Sequence, residues 1–100
     1  MDKKRKEYAV ELVINGKKIE KVVIDSHYEE KHSAVINDVM ILKLVDLLKN
    51  EFHDVNDYKF PFKYFVSNRL EIEDKLYRMI WLLEENKSYI GILNAFRSSK

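Results

Sequence analysis

YAVELVINGKKIEKVVI, residues 8–24, decides how the rest of this chain is read. Tyr8 to Ile14 and Ile19 to Ile24 are rich in β-branched residues. Between them stands Asn15-Gly16, a pair that tolerates φ > 0 at both positions of a type I′ turn. The stretch predicts a β-hairpin. Outward from it, Asp25-Ser26 can cap a short helix over HYEEKH, with Glu29 and Glu30 favourable near the positive end of the helix dipole. After a break at Ser33 to Ile36, Asn37 or Asp38 can cap a longer helix. In it Ile41, Leu44, Val45, Leu48 and Phe52 recur on one stripe that faces the sheet.

Asp54 to Asp57 reads as a turn. YKFPFKYFV then alternates Tyr58, Phe60, Phe62 and Tyr64 with Lys59, Pro61 and Lys63, as a strand with one buried face does. Pro61 has no N–H to donate, so this strand is an edge or is broken there. Leu76 to Leu83 and Tyr89 to Phe96 are apolar runs separated by EENKS, and predict a second hairpin with central strands. The expected fold is therefore α+β: an antiparallel sheet of about five strands, in the order β-β-α-α-β-β-β, packed against one long amphipathic helix and one short helix.

With 100 residues, 46% of them hydrophobic, the chain has material for one core and not for two, so residues 1–100 are expected to form a single domain. The basic N-terminus, residues 1–7, is expected to fray. There is no cysteine, which excludes disulfides and thiolate chemistry and suits the cytoplasm. No stretch approaches the ~20 apolar residues of a membrane span, and MDKKRKEY is not followed by the apolar run of a secretory signal. Net charge is only +1, but the basic residues gather toward the two ends. Such an end either touches phosphates or is simply a solvated terminus.

His27 and His32 are the side chains best suited to exchange protons near neutral pH, with Lys31 beside them, although an ordinary surface or capping role fits each equally. Five residues apart on a helix is about 500°, so their rings would point about 140° apart. That spacing misses the i, i+4 arrangement of a zinc helix, and no metal or other cofactor is expected. Arg78 is the one charged residue inside LYRMIWLL. It must either pair with Glu71, Glu73 or Glu84 or open onto a groove, because an unpaired buried guanidinium is very costly. Arg97 closes the last strand, and beside Arg78 it would make an anion site suited to phosphodiester oxygens. Tyr58, Phe60, Phe62 and Tyr64, interleaved with Lys59 and Lys63, fit either a base-stacking surface flanked by cations or, more simply, the core-facing side of a strand.

The order of these segments resembles the small bacterial toxins of the RelE and barnase-like ribonuclease superfamily. The resemblance rests on KVVIDSHYEEKH, NDVMILKLV, LYRMIWLLEE and YIGILNAFR, over roughly residues 20–97. It implies metal-independent endoribonuclease activity, with an RNA substrate and a cognate antitoxin as partners. His27 or His32 would be base or acid, Arg78 and Arg97 would hold the phosphate, and Lys31 would add a cation. The chain departs from the family in its near-neutral charge and its additional N-terminal hairpin. The reading from a different class is a non-catalytic module, an immunity-type or partner protein that binds protein or nucleic acid. A concave face that gathers a histidine with both arginines would distinguish the enzyme from the module.

Overall fold

The computed structural model describes residues 5–24 and 36–98. In chain order these form β1 (Lys6–Ile14), β2 (Lys17–Ile24), α1 (Asp38–Asp46), β3 (Asp57–Lys59), β4 (Phe62–Ile72), β5 (Lys75–Glu84) and β6 (Tyr89–Arg97). The six strands make one sheet in the order β1-β2-β6-β5-β4-β3, curved into a half-barrel. It is a mixed sheet, because β2 and β6 run parallel, with Val22 opposite Ile90 and Ile24 opposite Ile92.

The α+β expectation is therefore corrected: the molecule is mostly β, with a single short helix among the described residues. The first hairpin forms where the alternation and Asn15-Gly16 place it, with φ of 53° and 71° at the two turn residues. The short helix expected over residues 27–32 lies outside the described residues. The long helix does not extend to Phe52. Asn37 caps its start, its Oδ1 accepting from the Met40 N–H at 2.9 Å. Its end is set by the first hairpin, which takes over the backbone: the Asn50 N–H donates to the Val13 carbonyl, and the Asn15 N–H to that of Glu51. Once those groups are satisfied outside the helix, helical continuation has no advantage, and Asn50 turns the chain at φ 63°. Ile41, Leu44, Val45 and Leu48 are buried as the stripe requires, whereas Phe52 is 82% exposed.

The aromatic strand is broken at Phe60-Pro61, which are joined by a cis peptide, and β3 pairs antiparallel with β4. Beyond the expected strand, β4 continues through Ser67 to Ile72, bulges between Ser67 and Leu70, and turns at Glu73-Asp74 into β5. The core lies on the side of the sheet that carries α1. Tyr77, Met79, Trp81 and Leu83 of β5 alternate inward, flanked by Ile90, Ile92 and Ala95 of β6 and by Ile14, Ile19, Val22 and Ile24 of the first hairpin. At its centre the Trp81 and Phe65 rings stack 4.1 Å apart and 8° from parallel, and the Trp81 Nε1–H donates to Ser67 Oγ at 2.8 Å.

Candidate nucleic-acid interface

Strand register decides the fate of the expected phosphate clamp. Arg78 is opposite Phe96, and Arg97 is opposite Tyr77. Side chains of directly opposed residues share a face and neighbours along a strand do not, so the two arginines point to opposite faces of the sheet. Both are exposed, and neither is ion-paired among the described residues. Glu71, Glu73 and Glu84 thus leave Arg78 to solvent. His27, Lys31 and His32 lie outside the described residues. Lys59 and Lys63 are separated as well: Lys59 pairs with Phe62, and Lys63 with Tyr58, so the turn at Pro61 puts the two lysines on different faces.

What the fold does bring together is Lys63 with Lys17. Lys17 leaves the first turn on β2 opposite buried Ile14, and Lys63 stands on β4 opposite buried Leu83, so both occupy the face that carries the core. Two strands, β6 and β5, lie between β2 and β4. Curvature of the sheet nonetheless brings both lysines to the wall of one pocket of about 260 Å³, which Asn15, Phe52, Leu83, Glu84 and Glu85 also line. Lys17 Nζ donates to the Glu84 carbonyl at 2.5 Å. Burial, and next the charge of Lys63, hold the Lys17 ammonium below the usual lysine range.

Two carboxylates, Glu84 and Glu85, also line this pocket, and their charges act on the Lys17 ammonium in the opposite sense to Lys63. Glu85 accepts from the Tyr58 hydroxyl at 2.9 Å, and Glu84 from the Tyr89 hydroxyl at 2.7 Å. Burial and then that carboxylate push the Tyr89 phenol up to about 12. Lys17 and Lys63 have no ion-pair partner among the described residues. An anion entering on the lysine side of the pocket meets two cations that repel each other in its absence, with Glu84 and Glu85 as the opposing charges on the wall.

Phe52 is held over the pocket by its neighbour. The His53 N–H donates to Asn15 Oδ1 at 2.6 Å, Asn15 Nδ2 donates back to the His53 carbonyl at 3.0 Å, and His53 Nε2 bonds the Leu48 carbonyl at 3.0 Å. The His53 ring meets Trp81 edge-on at 5.5 Å. With His53 anchored, the Phe52 ring lies outside, against Gly16, where a Cβ would come within 3.4 Å of it. Tyr58 and Phe60 are also exposed, at 49% and 74%, and the Pro61 carbonyl ties their turn to the Glu85 N–H. Lys17, Phe52 and His53 escaped the sequence reading. Phe52 fell on a helical stripe, His53 lacked a motif, and Lys17 is one of two lysines after a turn with nothing local to distinguish it.

Among the described residues no group of three or more His, Asp or Glu is placed to hold a metal ion, and no helix is long and apolar enough to cross a membrane. Comparison with family models, with curated proteins and with solved structures returned no match.

Proposed function

We propose that the protein is a non-catalytic module that binds single-stranded RNA at the Lys17–Lys63 end of the sheet. The observation that carries this reading is the coincidence, at one pocket, of two lysines outside any ion pair among the described residues and a highly exposed Phe52 ring. A backbone phosphate would accept from both Nζ groups while a base stacks on Phe52, with Tyr58 and Phe60 offering further rings beside it. Stacking of this kind is worth about 1–3 kcal/mol per base and tolerates any sequence. Each phosphate neutralised adds roughly 0.7 to the slope of log affinity against log salt.

An endoribonuclease needs its acid, base and cationic clamp on one face. The opposed directions of Arg78 and Arg97 support the module over the enzyme. The test is fluorescence anisotropy of labelled oligouridylate with the intact chain, followed by electrophoresis of the same RNA. Binding that weakens about tenfold in Phe52→Ala, with the salt slope falling by roughly 0.7 in Lys63→Ala and the RNA intact, is the expected result. Cleaved RNA would restore the nuclease reading, and no saturable binding would remove nucleic acid from consideration.

A further inference from the structure

A second cavity, of about 220 Å³, opens on the face of the sheet turned away from α1. Val23, Gly91 and Leu82 are direct cross-strand partners on β2, β6 and β5, so they form one row across that face. The middle position carries no side chain. A Cβ at Gly91 would stand 3.0 Å from Leu82 Cδ1 and 3.5 Å from the Tyr89 ring, so both lean into the space that glycine leaves. The result is an apolar depression with Phe62 at its side.

Three polar side chains line this depression: Arg5, Glu84 and Tyr89. The Tyr89 hydroxyl donates to Glu84 at 2.7 Å, and the charges of both Glu84 and Arg5 act on that phenol, in opposite senses. Arg5 and Glu84 therefore stand close to one group, yet they do not pair with each other. A cation and a carboxylate held apart at the mouth of an apolar cavity complement a small zwitterion with an apolar body.

We propose that this cavity binds a free apolar α-amino acid of about the size of phenylalanine. Its carboxylate lies on the Arg5 guanidinium, its ammonium on the Glu84 carboxylate, and its side chain on Leu82 and Phe62 over Gly91. The Lys17 and Lys63 side chains face the other side of the sheet, and the two pockets adjoin at Glu84, which lines both.

The test is titration of the ¹⁵N-labelled full chain with L-phenylalanine, followed by amide shifts. The same titration is run with 3-phenylpropionate, which lacks the ammonium, and with phenethylamine, which lacks the carboxylate. Saturable shifts centred on Val23, Leu82 and Gly91 are expected with phenylalanine. Both truncated analogues should bind roughly tenfold more weakly, since each leaves one charged group of the site unmatched. Arg5 is exposed, so Arg5→Gln should keep the fold while weakening phenylalanine to the same degree, and Lys63→Ala should leave its binding unchanged. Gly91→Ala, checked for folding by urea denaturation, should displace Leu82 into the cavity and weaken binding further. Absence of saturable shifts overturns the site. Equal binding by 3-phenylpropionate, or by Arg5→Gln, overturns the recognition of a zwitterion.

Discussion

Glu73 and Asp74 turn β4 into β5 with φ of 52° and 67°, a region where a Cβ crowds the following carbonyl and where Asn and Gly are the favoured residues. The first hairpin uses that favoured pair, and this one does not. Replacing Glu73-Asp74 by Asn-Gly should therefore stabilise the protein by about 1 kcal/mol, read as a higher urea midpoint at unchanged slope. A lower midpoint would show that the two carboxylates make contributions beyond the turn. Ser67 presents a residue-level case of opposite sign. Its hydroxyl receives the Nε1–H of fully buried Trp81, so Ser67→Ala should cost about 1–3 kcal/mol by stranding that donor. Neither effect is visible in residue type alone, because a serine in an exposed strand and one beneath a tryptophan read identically.

The segment between α1 and β3 acts as a clasp from the helix to the first hairpin, and Asn15 is its fastening point. Asn15→Gly keeps a residue suited to φ 53° but removes both side-chain bonds to His53. It should cost about 1–3 kcal/mol in stability and loosen Phe52, so RNA affinity should fall even though the variant touches no phosphate. If affinity is unchanged, Phe52 does not depend on the clasp for its position. At the other end of the helix, Asn37→Ala removes the cap on the Met40 N–H and should cost about 1 kcal/mol, measured by thermal or urea unfolding. Strong and weak local signals are both present here. The two hairpins around Asn15-Gly16 and around Glu85-Asn86 were legible because each joins apolar alternating runs through turn residues. The second half of β4, SNRLEI, was not, because polar residues, a bulge and a turn without glycine conceal its period.

For the molecule as a whole, the Tyr89–Glu84 pair sets a distinct alkaline dependence. The folded pKa of Tyr89 is raised from 10.0 to about 12. The stability this contributes is fully present below pH 10 and is lost as the pH rises through about 12. Lys17 acts in the opposite sense, since a lysine whose folded pKa lies below 10.5 gains relative stability as the pH rises toward that value. Comparing the wild type with Tyr89→Phe by urea denaturation across pH 10 to 12 isolates the tyrosine: the variant should lose less stability over that window. Parallel curves would assign the alkaline loss to other groups. Periodicity and residue chemistry within short range yield the buried stripe from Ile41 to Leu48 and both hairpins, narrow the helix cap to Asn37 or Asp38, and make the aromatic strand either an edge or broken at Pro61. The parallel pairing of β2 with β6, the faces on which Arg78, Arg97, Lys59 and Lys63 stand, and the meeting of Lys17 with Lys63 arise from strand pairing in the tertiary structure. Side-chain direction alternates at every residue of a strand, so a shift of one position in long-range register reverses it, and sheet curvature then determines which distant side chains meet.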